Sequence, residues 1–284
     1  MESRMPSIID LSAELAKLTM FQRTPQSTRR RQREASHDWL PTATASFWPS
    51  SPRGQTIGNA ISPATSWSTS STAPRPWKSC AMTGRPSLLR FAPGMIAVIP
   101  QGAWHRALSA EGKTEMTATP FPGDHIERDV DDPRSIDGKL AGAIAVTPSI
   151  IDLTAELAKL TTFRGRTPRS TIADRKGSAA RLASYRDGAL TATKFAGKGH
   201  WESHLAGDEL IHVLDGTATL EIACNDGPPK SFALRAGMIA VNPQGTWHRF
   251  HSSEGVTLMT ATPSPGEVIE FDVDDPRRVE RKPA

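Results

Sequence analysis

Cysteine is almost missing: Cys80 and Cys224 are the only two in 284 residues. Two cysteines cannot build a disulfide framework, which excludes the small stapled scaffolds of secreted proteins and makes a reducing cytoplasm the expected compartment. Long apolar runs are missing as well. No stretch approaches the ~20 residues that cross a bilayer, and no charged, then apolar, then small-residue stretch opens the chain, so neither a membrane span nor a secretory leader is expected. Charge of one sign is also lacking. The net charge is +4, with acids and bases mixed through the C-terminal half, and no nucleic-acid or membrane partner is expected. What is plentiful is proline and glycine, 23 and 21 residues, which points to short strands and many turns. The length suits two domains of ordinary size.

Two domains are what the repeats describe. Pro6-Ser-Ile-Ile-Asp-Leu recurs at Pro148, and Gly94-Met-Ile-Ala-Val-Ile-Pro-Gln-Gly-Ala-Trp-His-Arg106 recurs from Gly237 to Arg249. Asp-Val-Asp-Asp-Pro-Arg stands at Asp129 and again at Asp272, an offset of 143 that is far too long for a solenoid unit. The expected division is a degenerate copy over 1–134, a linker over 135–147 and an intact domain over 148–284 that folds by itself.

Between Arg30 and Ala92 the likeness vanishes while the length is kept, as a shifted reading frame would leave it. Reading His200-Trp201-Glu202 as CAT TGG GAA one base late gives Ile, Gly and the start of Asn; Ile57-Gly58-Asn59 stand there. The codons of Leu205 to Leu210 read late give Ser62-Pro-Ala-Thr-Ser-Trp67 in the same way. The Arg29-Arg30-Arg31 run and tryptophans such as Trp67 and Trp77 are then products of codons, not of selection for a binding surface. Few aliphatic residues remain to bury, so irregular or disordered chain is expected from about 30 to 92.

In the intact copy an amphipathic helix is expected from about Ile150 to Leu160, with Ser149 as its cap. Short strand-like runs follow: Ala180–Tyr185, Leu190–Phe195, Trp201–His204, Glu209–Leu214, Ala218–Ala223, Ser231–Leu234, Met238–Val241, Trp247–Phe250 and Val256–Thr262. Asp215-Gly216 and Asn225-Asp226-Gly227 read as turns. The pattern means an all-β sandwich or barrel.

On a strand, alternate side chains share a face. His200, Glu202 and His204 therefore point the same way, and Glu209 returns after a Leu-Ala-Gly turn. A solvated strand face would also alternate polar residues, so this strip alone leaves both readings open. A second stretch, Gly237 through Pro243-Gln-Gly245 to His248, adds another imidazole after a Pro-x-Gly turn. Together the two stretches resemble the two motifs of the cupin superfamily. His204, Glu209 and Gly216 match the end of the first, and Gly237, Pro243, Gly245 and His248 match the second. Two positions depart from the usual pattern: Glu202 stands where the first motif usually begins with His, and Ser252 where the second often ends in Asn.

The resemblance implies a double-stranded β-helix, or jelly roll, with a divalent metal held by His204, Glu209 and His248. Glu202 would be a fourth ligand or a catalytic base. Iron, manganese, nickel and zinc all suit such nitrogen and oxygen ligands. It implies a metal-dependent dioxygenase or isomerase acting on a small molecule; a non-catalytic metal- or ligand-binding cupin and a structural dimerisation module, working as a homodimer, are the alternatives. Trp201, His212, His251 and Cys224 are read as packing or surface residues. Nothing in the spacing of Tyr185 supports a catalytic role. In the first copy only His105 keeps a ligand position.

Overall fold

The computed structural model describes residues 5–17, 21–23, 45–50, 52–55, 58–61, 66–70, 75–79, 87–101, 103–109, 114–120, 124–127, 148–264, 267–270, 273 and 275–278. The chain divides into two units, one of Met1–Ala13 with Ala155–Ala284 and one of Glu14–Thr154. This division departs from a boundary at 148, because each unit takes up the short strand that opens the other repeat. Ser7–Asp10 pairs antiparallel with Met238–Asn242, from Ser7 opposite Val241 to Asp10 opposite Met238. Ser149–Asp152 pairs with Met95–Ile99 in the matching register, Ser149 opposite Val98. Both opening strands read Ser-Ile-Ile-Asp and both acceptors begin Met-Ile-Ala-Val, so either strand offers its β-branched side chains to the same surface.

This pairing corrects the expected helix. Residues 149–152 are strand, and the helix is shorter, Leu153–Ala158. Adjacent isoleucines gain more by laddering onto a sheet edge than by coiling with a narrow apolar face. In the first repeat the helix Leu11–Leu15 is capped by Asp10, whose Oδ1 accepts from the Ala13 N–H at 3.2 Å.

In the C-terminal unit two long strands, Glu209–Ile222 and His248–Thr262, run antiparallel and each serves both sheets of the jelly roll. Leu210 through Val213 pairs with Leu258 through Ala261, alongside Met238–Asn242 on one side and Gly188–Lys198 on the other. Thr219 through Ile222 pairs with His248 through His251, alongside Lys230–Arg235 and Trp201–His204. The turn expected at Asp215-Gly216 is instead a bulged bend inside one strand, with register shifts on either side of it. Gly216 has φ 75°, and a Cβ there would lie 2.1 Å from the Gly255 carbonyl oxygen. Only glycine permits that conformation and that approach, which is how the strand crosses between sheets. The second expected turn, Asn225-Asp226-Gly227, does separate two strands. Phe195, Ile211, Leu220, Ile222, Phe250 and Leu258 fill the space between the sheets.

The N-terminal unit repeats this ladder. Gly58–Ile61 pairs with Asp124–Glu127 as Trp201–His204 does with Glu267–Glu270, and Ser66 lies opposite Ile99 as Glu209 does opposite Asn242. Strands Ala45–Ser50, Pro52–Gln55, Gly58–Ile61, Ser66–Ser70, Arg75–Ser79 and Ser87–Phe91 thus stand inside the segment expected to be irregular. Pairing is a backbone matter, and the in-frame strands 95–99, 105–109 and 115–120 supply edges whose register does not depend on the shifted side chains. The other residues of that segment up to 86, Cys80 among them, and the expected linker 135–147 lie outside the described residues. Among the described side chains of this unit, the buried apolar ones in the body of the sheets come from Phe91 onward. No helix among the described residues is long and apolar enough to cross a membrane.

Candidate metal centre

The alternation read from the sequence places Glu202 and His204 on the inner face of Trp201–His204. Trp201 faces the other way and lies under the Arg249 guanidinium, 4.2 Å from its ring centre, so it packs as expected. The turn after His204 is tied to the second motif. The Gly245 N–H donates to the His204 carbonyl at 2.9 Å, and the Gln244 N–H donates to Asp208 Oδ1 at 2.8 Å. The Gln244 side-chain amide donates to the Leu205 carbonyl at 2.6 Å. Pro243-Gln-Gly245 and Leu205-Ala-Gly-Asp208 are therefore one stitched corner, which delivers His248 and Glu209 to the same place. Asp208, the first acid of the Asp-Glu pair, anchors this corner.

Four side chains converge there. His248 Nε2 stands 3.1 Å from Glu209 Oε2 and 3.5 Å from Glu202 Oε1. His204 Nε2 stands 3.3 Å from Glu209 Oε2. The two imidazole centroids are 5.3 Å apart. Ligand atoms of Glu202, His204 and His248 fall within 4.8 Å of one another, with Glu209 against both imidazoles. His204, Glu209 and His248 are buried, while Glu202 is 18 % exposed and is the member solvent reaches best.

Two contacts orient the donors. The Thr246 carbonyl lies 3.1 Å from His248 Nδ1; a carbonyl only accepts, so Nδ1 carries the proton and Nε2 faces the cluster. Thr262 Oγ1 donates to Glu209 Oε1 at 2.6 Å, which leaves Oε2 for the centre. Sequence reading missed Thr246 and Thr262. It also missed Asn242, a buried amide directly across the ladder from Glu209, although an Asn ending the apolar run Met238-Ile-Ala-Val was a visible signal.

The electrostatics suit a cation at this cluster. Burial would lower the pKa of His248, but the hydrogen bonds and charges of Glu202 and Glu209 outweigh it and raise it. Burial likewise opposes the charged form of His204, and Glu209 reverses the sign. Burial would push Glu209 up; the charges and hydrogen bonds of His204 and His248 hold it below the ordinary carboxylate range. Glu202 is held down in the same way by His200 and His248. Carboxylates and imidazoles thus each favour the other's charged form. Apart from their mutual contacts at 3.1 and 3.3 Å, His204 Nε2, His248 Nε2 and Glu209 Oε2 are buried with no other hydrogen-bond partner among the described residues, a costly state unless something satisfies them. Ligands about 2.1 Å from a shared metal stand roughly 3.0–3.4 Å apart, close to the 3.3 and 3.1 Å that separate Glu209 from His204 and His248. The residues fit a divalent metal.

The other sequence candidates fall outside this set. His200 is buried with Nε2 3.4 Å from Glu202 Oε2, behind the cluster. Ser252 donates to the Thr217 carbonyl and accepts from the Gly255 N–H, a purely structural use. His251 is exposed, Cys224 is buried, and Tyr185 is buried on Ala179–Tyr185 with its hydroxyl pKa pushed up by that burial. In the N-terminal unit His105 Nδ1 lies 3.0 Å from the Ala103 carbonyl, the same orientation as His248. The positions answering to Glu202, His204 and Glu209 are held there by Asn59, Ile61 and Ser66.

No family model and no curated protein matches the chain. Solved structures do. Salicylate 1,2-dioxygenase from Pseudaminobacter salicylatoxidans superposes with a TM-score of 0.64 at 13 % identity, over 93 % of this chain and 88 % of that one. The structure of its adducts with gentisate gives 0.61 at 13 % identity, over 95 % and 86 %. Oxalate decarboxylase from Bacillus subtilis gives 0.48 at 11 % identity, over 82 % and 76 %. The fold this chain shares with the dioxygenase is the cupin fold.

Proposed function

We propose that His204, Glu209 and His248 hold one divalent metal, with Glu202 beside it as a base or a fourth ligand, and that the C-terminal unit acts through it on a small organic molecule as a dioxygenase or an isomerase. The observation that carries this reading is the convergence of His204 Nε2, His248 Nε2 and Glu209 Oε2 in one buried place. When bound, the metal would supply Lewis acidity or redox chemistry toward substrate oxygens. The chain's own residues do the rest. Thr246 and Thr262 fix the imidazole and carboxylate that face the centre. Glu202 is the most exposed of the four and can move a proton at Oε1 or Oε2. His200 Nε2 positions Oε2 from behind.

A non-catalytic reading draws on the same residue. Four protein ligands close a tetrahedral site, as in structural centres, whereas catalytic centres keep a position open. Glu202 decides between them. The test is oxygen uptake by the metal-loaded full chain with salicylate, gentisate and related small molecules, alongside Glu202→Ala. The enzyme reading expects turnover in the wild type and a large loss in Glu202→Ala with its metal retained. Loss of the metal in Glu202→Ala, with no turnover by the wild type, would instead establish a closed binding site.

A further inference from the structure

Arg166 was not singled out by its sequence, yet it is the one buried guanidinium beside this centre among the described residues. It ends the strand Phe163–Arg166, which lies parallel to Gly188–Lys198 with Arg166 opposite Gly197. The residue is 9 % exposed. Its Cζ sits 4.4 Å over the Phe195 ring, inside the core. Gly199 makes room for it: a Cβ at that position would come within 3.2 Å of both Cζ and Nη2. Gly199 directly precedes His200, which contacts Glu202. The guanidinium thus lies at the Glu202 end of the cluster. Burial lowers its pKa and the charge of Glu202 acts in the opposite sense, which places the two groups in each other's field.

No carboxylate lies within 4.0 Å of Arg166 among the described residues, and its Nε has no hydrogen-bond partner there. A largely buried cation with an unmet Nε–H and no anion beside it is costly unless something else completes it. An aromatic face offsets part of that cost but accepts none of the N–H bonds. Charge balance points the same way. Glu202 and Glu209 together neutralise a divalent metal, and Arg166 then leaves the site with one positive charge in excess.

We infer that the ligand of this site is a small organic carboxylate, held by Arg166 while its other end faces the Glu202–His204–Glu209–His248 cluster. The inference rests on the metal-site reading for the second contact only; the Arg166 contact does not need the metal. A planar guanidinium suits a carboxylate because two parallel N–H bonds match its two oxygens.

The test uses the full chain and two neutral–anionic pairs, acetate with acetamide and benzoate with benzamide. Binding is measured on the metal-free protein by isothermal titration and by thermal shift, and on the cobalt-loaded protein by its visible spectrum. At least one carboxylate is expected to bind wild type in both states, and its amide at least about tenfold more weakly. Arg166→Gln should lose about tenfold or more in carboxylate affinity with cobalt content unchanged, and Arg166→Lys should recover part of it. If Arg166→Gln does not fold, the acid–amide comparison on wild type decides alone. Equal binding of acid and amide, unchanged carboxylate affinity in a folded Arg166→Gln, or no carboxylate binding in either state would overturn the inference. Failure of the metal-site reading would look different: no cobalt taken up, with carboxylate binding to the metal-free protein still dependent on Arg166.

Discussion

Single residues in this protein are set by what burial demands of them. His212 stands on the outer face of Glu209–Ile222, opposite Ile239 and Met259 in the ladders. Burial alone lowers its pKa to about 4 from an ordinary 6.5. The folded value lies below the unfolded one, so between pH 6.5 and 4 the unfolded chain binds more protons and stability falls as the pH drops. His212→Leu should flatten that fall, measured as the denaturation midpoint of metal-free protein across this range; an unchanged slope would show that other groups carry it. Strand alternation and a Pro-x-Gly turn put the four cluster residues forward in the sequence, and it was their match to the cupin motifs that grouped them. Arg166 and Thr262 were not legible in this way. Their roles depend on which strands become neighbours, and a lone residue on a distant strand has no spacing to betray it.

At the scale of elements, most strands fall where alternation and glycine placed them, Trp201–His204 to the residue. The errors share a cause. Asp215-Gly216 and the stretch from Trp247 to Thr262 carried turn-like residues that proved to be bends inside long strands, because a jelly roll needs strands that change sheet. The opening strand Ser149–Asp152 was read as helix because its partner, Met95–Ile99, belongs to the other repeat. Exchange of the two Ser-Ile-Ile-Asp strands has a consequence for stability. Met5 and Ile8 pack against the core of the C-terminal unit, and Ser7–Asp10 covers the edge of Met238–Asn242, the strand beside Glu209. A chain beginning at Thr147 keeps an identical strand, Ser149–Asp152, to fill that edge, whereas one beginning at Ala155 has none. The first is expected to melt at a higher temperature than the second in circular dichroism. Equal melting would mean the exchanged strand contributes nothing.

At the scale of the whole molecule, two ladders of one topology carry very different side chains. The out-of-frame segment leaves Asn59, Ile61 and Ser66 on backbone positions that in the other repeat hold Glu202, His204 and Glu209. We propose that the N-terminal unit is a broken copy whose remaining imidazole, His105, holds no metal, and that the C-terminal unit carries the activity. Metal affinity requires several donors at once, so one histidine cannot substitute for four converging groups. The most direct measurement is the metal content per chain of the purified full-length protein, by elemental analysis after saturation and desalting. One equivalent is expected, largely lost in His248→Ala and in His204→Ala, and unchanged in His105→Ala. Two equivalents per chain, loss of metal with His105→Ala, or full retention by both His204→Ala and His248→Ala would contradict it.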